Sequence, residues 1–316
     1  MSRHLVDPQL VDALALFHPL DVDPSRIEET RAMFAALEQP VESYMRPSVT
    51  IERVLAPGPS GAPDVPVMLY RPVQADGPLP VFLHIHGGGY LFGAASRSGA
   101  GSVRTADELK CVVASVDYRL APETRAPGAA EDCYAVLAWL HDNADRLGID
   151  PARIAVGGES AGGGLAAATA LLARDRGAYP LCFQMLIYPM IDDRTCAREA
   201  GNPHVGHFVW KPEYNAFGWS CYLGVKPGSD GVSPYAAPSR ATDLSGLPPA
   251  YIALGALDLF LEEDLDYARR LMAAGVPVEL QVYPGAYHGF EMVFGADIAI
   301  RAEADRRRAL AEAFAR

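Results

Sequence analysis

The sequence predicts an α/β fold: a mainly parallel sheet with crossover helices and a helical cap. Short, nearly continuous apolar runs at 81–85 and 111–116 read as strands buried on both faces. Strand-like and helix-like stretches alternate along most of the chain, as βαβ units require. A Gly-, Pro- and aromatic-rich stretch, 192–247, interrupts that rhythm and is too long for a simple connection, so it is expected to contribute to a cap.

Taken in order, Asp7-Pro8 and Asp23-Pro24 each pair an N-cap residue with proline at the first helical position, which predicts two short opening helices. The second carries Ile27, Phe34 and Leu37 at helical spacing, an apolar face in want of a partner. Strands are expected at 49–55, 65–70, 81–85, 111–116, 154–156, 183–188, 251–254 and 278–283. Helices are expected at 129–147, 160–173, 262–274 and 299–314. This divides the chain into an N-terminal helical cap segment (1–47), a catalytic core (48–191 and 248–316) and an insertion (192–247).

Half of the 316 residues are hydrophobic and 21% are charged, so the chain has enough apolar material for a large core. A net charge of −12 argues against nucleic-acid binding and against docking on an anionic membrane, both of which call for a basic surface. The five cysteines (Cys111, Cys133, Cys182, Cys196 and Cys221) are widely spaced and odd in number, so neither a disulfide framework nor a zinc knuckle is expected. Apolar residues near Leu10 to either side of Asp12 lack a basic leader and a cleavage site, and no apolar run approaches the ~18 residues of a membrane helix. A soluble, cytoplasmic protein without membrane insertion is the expectation.

The chemistry is concentrated at Gly158-Glu159-Ser160-Ala161-Gly162, where a predicted strand runs into a predicted helix. A serine on so sharp a turn sits in strained backbone, and glycines two residues to either side leave room for it. Chance alone yields such a pentapeptide in roughly one chain in eight of this composition, so the context must decide. That context is His86-Gly87-Gly88-Gly89-Tyr90, directly after a predicted strand. Three consecutive glycines expose main-chain N–H groups to an approaching oxyanion.

A serine hydroxyl needs a base, and the base needs an orienting acid. Of eight histidines only His288 lies beyond the last predicted strand. Asp258 follows the strand at 251–254, at the carboxyl end where such sheets gather functional groups. Glu262, Glu263, Asp264 and Asp266 are rivals that read better as the solvated face and first turn of the next helix. A metal site on His84 and His86 with Asp192 or Asp193 is a further rival, for which a third histidine at ligand spacing is lacking.

With these motifs in place, the sequence resembles the hormone-sensitive lipase family of esterases within the α/β-hydrolase superfamily. The resemblance runs from about residue 48 to the end and includes Asp117-Tyr118-Arg119-Leu120-Ala121-Pro122-Glu123 and the order Ser160, Asp258, His288. It implies an α/β-hydrolase fold with a mostly parallel eight-stranded sheet, and an oxyanion hole from the N–H groups of Gly88, Gly89 and Ala161. It also implies that His86 braces the glycine loop, that Arg119 and Glu123 tie a neighbouring loop, and that a homodimer forms. Two departures stand out: Glu159 where the family usually has Asp, and Leu259 where it usually has Pro.

The expected reaction is hydrolysis of a small-molecule, short-chain acyl ester through an acyl-enzyme on Ser160, with no metal or cofactor. Tyr90, Leu91, Phe92, Phe208, Trp210, Leu259 and Phe290 are candidates for the substrate pocket, with core packing as the alternative for each. A catalytically inactive ligand-binding relative, or an amidase or lactonase with the same three residues, is the competing reading.

Overall fold

The computed structural model describes residues 2–17, 19–36, 40–74, 76–195 and 201–316. Eight strands form one sheet: β1 (Val49–Ala56), β2 (Val65–Pro72), β3 (Leu79–Ile85), β4 (Val112–Val116), β5 (Ile149–Glu159), β6 (Phe183–Ile187), β7 (Ala250–Gly255) and β8 (Val278–Tyr283). Their spatial order is β1-β2-β4-β3-β5-β6-β7-β8. β2 runs antiparallel to both β1 and β4, and every other pairing is parallel. The apolar runs explain the interior: β3, β4, β6 and β7 are buried at every residue, whereas the edge strands β1 and β8 are partly exposed.

The helices in chain order are α1 (Ile27–Ala35), α2 (Gly99–Leu109), α3 (Gly128–Asp142), α4 (Ala144–Leu147), α5 (Ala161–Arg176), α6 (Pro212–Leu223), α7 (Leu261–Ala273) and α8 (Asp297–Phe314). α3 packs with α5 and α2 with α8, and these helices cover the sheet. α5 is buried from Ala161 to Ala173 because Gly and Ala let its backbone lie close to β5 and β6. Among the described residues no helix is long and apolar enough to cross a membrane.

The eight strands of the sequence reading all form, with shifted ends; β5 is the most extended, starting at Ile149 rather than near 154. The first opening helix does not form as an α-helix. Asp7 instead accepts the Gln9 N–H (2.9 Å) in a tight turn, flanked by 3-10 turns at Ser2–Leu5 and Asp12–Leu16. The segment is held by tertiary contacts rather than by its own ladder: Asp7 N–H donates to Gly285 O (3.0 Å) and the Tyr287 hydroxyl to Leu10 O (3.1 Å). Asp23 does cap its helix start, accepting from Ser25 N–H (2.9 Å), with a 3-10 turn before α1. Leu37 and Cys196 lie outside the described residues.

The partner of α1 is now visible. Phe34 packs against Phe92 (5.4 Å between centroids), while Arg31 donates to Leu91 O (3.0 Å) and Ala121 O (2.8 Å) and pairs with Glu123 (2.9 Å). Arg119 forks onto the buried Asp132 (2.6 Å). The 117–123 segment is thus tied at both ends, to α1 and to α3.

Candidate active site

Ser160 lies between the end of β5 and the start of α5, with φ +57° and ψ −120°, a region that non-glycine residues rarely adopt. Flanking glycines make this turn possible. A Cβ on Gly158 would strike Ile85 O, and one on Gly162 would strike the same carbonyl. The end of β3, paired with β5 at Ile85↔Gly158, therefore sits against the turn through bare backbone. The clash that the glycines avoid is chiefly with β3 rather than with the serine.

Three side chains distant in sequence meet here. His288 Nε2 lies 3.0 Å from Ser160 Oγ, and Nδ1 lies 2.8 Å from Asp258 Oδ2. Asp258 Oδ1 accepts the Phe260 N–H (3.0 Å), which fixes the carboxylate plane. A neutral imidazole donating from Nδ1 leaves Nε2 free to accept the serine proton. All three residues are buried: Ser160 is 6%, His288 7% and Asp258 0% exposed. Phe260 (5.3 Å, edge-on), Tyr188 (4.5 Å) and Trp210 (6.1 Å) surround the imidazole.

The glycine loop lies beside the turn. Gly88 and Gly89 have φ of +128° and +61°, and among the described residues neither N–H has a partner within the chain. A side chain on Gly89 would enter the ring of Trp210, and one on Gly88 would strike Phe92 O. His86 is buried, stacks on Tyr118 (4.3 Å) and bonds through Nδ1 to Gly87 O (2.8 Å). Burial pulls its pKa down to about 4, so it is neutral near pH 7.

The candidate pocket residues are distributed unevenly. Trp210 covers Gly89 and is anchored by its indole N–H on Asn215 (3.2 Å). Phe208 is half-buried and packs on Tyr287 (6.1 Å) beside His288. Leu259 is buried against Gly206 of the insertion. Tyr90 stacks on Tyr222 (4.0 Å) and donates to Met190 O (2.7 Å), Leu91 is fully buried, Phe92 faces α1, and Phe290 packs on Tyr283 (5.3 Å).

The acids of α7 correct one expectation. Glu262 and Asp266 are exposed, but Glu263 and Asp264 are buried rather than solvated. Glu263 is covered by the chain that follows β6: it accepts Ile191 N–H (2.8 Å), Asp192 N–H (3.1 Å) and the Thr195 hydroxyl. Burial raises the carboxyls of both well above the usual range. Neither reaches His288, which pairs with Asp258 alone among the acids.

Glu159, with about a fifth of its side chain exposed, lies between His84 Nε2 (3.0 Å) and the guanidinium of Arg306 of α8. Burial would raise its pKa, but His84 and then Arg306 outweigh it and hold the carboxyl at about 2. His84 also meets Ser115 (3.0 Å), and Asp193 is paired with Arg240 (2.6 Å), so these residues are engaged elsewhere. Among the described residues no group of three metal-ligating side chains assembles.

Sequence reasoning missed Tyr188, Phe260, Glu291 and Arg306. Tyr188 and Phe260 follow the carboxyl ends of β6 and β7, a position that could have flagged them; Arg306 lies in an ordinary-looking helix and carried no signal.

A serine, histidine and acid hydrogen-bonded in series at the carboxyl edge of this sheet define a serine hydrolase of the α/β-hydrolase class. Residues 82–292 match the model of the alpha/beta hydrolase fold family, and the chain belongs to that family, in its hormone-sensitive lipase-like branch. It is a carboxylic ester hydrolase. Carboxylesterase NlhH of Mycobacterium tuberculosis is 37% identical over 92% of this chain and 90% of its own length. The solved structure of a bacterial heroin esterase superposes with a TM-score of 0.93 at 42% identity, covering 99% of each chain. Esterase LipW from Mycobacterium marinum superposes at 0.87, with 33% identity over 99% of this chain and 97% of its own.

Proposed function

We propose that Ser160 is the nucleophile, His288 the general base and Asp258 the acid that orients it, and that the substrates are short-chain acyl esters. The observation that carries this is the continuous series of contacts, 3.0 Å from Ser160 to His288 and 2.8 Å from His288 to Asp258. Ser160 Oγ attacks the ester carbonyl as His288 takes its proton. The resulting oxyanion is met by the N–H groups of Gly88, Gly89 and Ala161, the last at the positive end of α5. The protonated imidazole gives its proton to the leaving alcohol. Water then enters by the same route and releases the acid.

Preference for short acyl groups is supported by the cover over the serine. Trp210 rests directly on Gly89, and Ser160 is only 6% exposed, which leaves little room for a long chain. The N-terminal segment 1–47 and insertion 192–247 together supply this cap. Similarity to an ethyl acetate hydrolase of Pseudomonas putida, 32% identical over 86% of this chain, supports small esters as the substrate class. We place the enzyme in the cytoplasm as a homodimer with no nucleic-acid partner, on its acidic composition and family resemblance.

Replacing Ser160 with Ala is expected to reduce ester turnover by on the order of 10⁴ to 10⁶. Undiminished turnover in a purified preparation would refute the assignment. A series of p-nitrophenyl esters should peak at short acyl groups, and a maximum at long chains would overturn the size argument.

A further inference from the structure

His288 is bordered by a second pair of groups that the reaction as written does not use. Tyr188, the residue after β6, places its ring 4.5 Å from the imidazole with a 59° tilt. Its φ is +34°, and its N–H donates to Ala253 O (2.6 Å), so β7 holds its backbone. The phenol donates to Glu291 Oε1. Glu291 stands in the 3-10 turn Phe290–Met292, three residues beyond His288 on the same loop. Its other oxygen is buried and meets no partner among the described residues.

We propose that Glu291 is a positioning residue for His288, acting through the phenol of Tyr188, and that its ionisation gives this esterase a proton-linked control on the imidazole. The inference rests on His288 being the general base. When Glu291 is ionised, the bond from Tyr188 becomes charge-assisted and fixes the ring against the imidazole. The same bond makes the ring more electron-rich, which favours the imidazolium that forms as Ser160 loses its proton. When Glu291 is neutral, both effects weaken.

The groups facing Glu291 come from three elements: Arg306 and Glu303 of α8, Glu159 at the end of β5, and Tyr188 after β6. Burial raises the Glu291 carboxyl to about 7; Arg306 opposes the rise, and Glu159 and Glu303 add to it. Arg306 is itself engaged by Glu159, so it neutralises Glu291 only in part. The carboxyl therefore changes charge within the range where a histidine base also works.

The test is kcat and KM for a short acyl ester from pH 5 to 9, product followed by chromatography, in wild type, Glu291→Gln, Tyr188→Phe and the double variant. The Gln side chain keeps an acceptor for the phenol but cannot ionise. The wild type should show a rising limb of log kcat steeper than one proton, and Glu291→Gln a one-proton limb. At pH 8 kcat should fall roughly three- to ten-fold in each single variant with KM within about two-fold, and the double variant should lose no more. Superimposable profiles overturn the proposal, and so does a lower kcat with an unchanged limb. Should Glu291→Gln fail to fold by circular dichroism, Tyr188→Phe decides by the same limb. Turnover surviving in Ser160→Ala strikes the triad instead, whereas an inactive Ser160→Ala with unshifted limbs in the other variants strikes only this inference.

Discussion

The two halves of the candidate active site are held by different means. On the serine side, the turn at Ser160 is locked by backbone: Gly158 and Gly162 lie against Ile85 O with no room for a Cβ. On the histidine side, the loop carrying His288 is held by side chains and by a distant segment. Tyr287 reaches Leu10 O, Gly285 O receives Asp7 N–H, and Gln9 exchanges bonds with Asp297 (2.6 and 3.1 Å). Phe17 adds an edge-on contact to Tyr287 (5.9 Å). Rigidity is thus local around Ser160 and borrowed around His288.

Two glutamates near the site sharpen the contrast. Glu159 and Glu291 both lie near Arg306, yet one is held at about 2 and the other is raised to about 7. Glu159 has His84 and Arg306 as direct hydrogen-bonded partners, whereas among the described residues Glu291 has the Tyr188 hydroxyl. Direct contact with a cation decides which way burial resolves.

The largest expected effect is on the histidine side. Asp258→Asn keeps the shape but presents a donor where Nδ1–H needs an acceptor, and kcat near pH 7 should fall by on the order of 10⁴. Retention of more than about a tenth of the wild-type kcat would mean that the imidazole is oriented by something else. Next come paired glycine substitutions. Gly158→Ala forces a methyl into Ile85 O and should cost on the order of 3 kcal/mol in denaturant melts and about 10² in kcat. Gly289→Ala, whose only near neighbour is the flexible end of Met292, should cost only the ~1 kcal/mol of its φ of +74°. Equal penalties would erase the distinction between the two sides.

The effect with no expected consequence for turnover near neutral pH concerns acid stability. Glu159 has a folded pKa near 2 against an ordinary value of 4.5. Its contribution is fully present above 4.5 and is lost as pH falls toward 2, on the order of 3 kcal/mol over that window. Chemical unfolding of Glu159→Gln should therefore show a shallower loss of stability below pH 4.5 than the wild type. A parallel pair of curves would place the acid sensitivity elsewhere.

Much of this was legible beforehand. The eight strands, the elbow at Ser160, the glycine loop and the Ser, Asp, His order were each carried by local patterns, because apolar runs, glycine freedom and sequence order are properties of short stretches. The solvated reading of Glu263 and Asp264 failed because helix position does not reveal what folds over a helix, and over Glu263 it is the backbone at Ile191 and Asp192. The opening helix at Asp7-Pro8 failed for the same reason, since its segment is shaped by bonds to the loop at Gly285 and Tyr287.

Taken by itself, the chain's sequence determined that a serine, an acid and a histidine would stand at strand ends, and that bare glycine N–H groups would stand near them. Tertiary structure alone decided the partners: Arg306 on Glu159, the Tyr188 phenol on Glu291, Trp210 over Gly89. Backbone conformation is written by neighbours in the chain, whereas the charge and reach of a buried side chain are set by whichever distant groups the fold brings within a few ångströms.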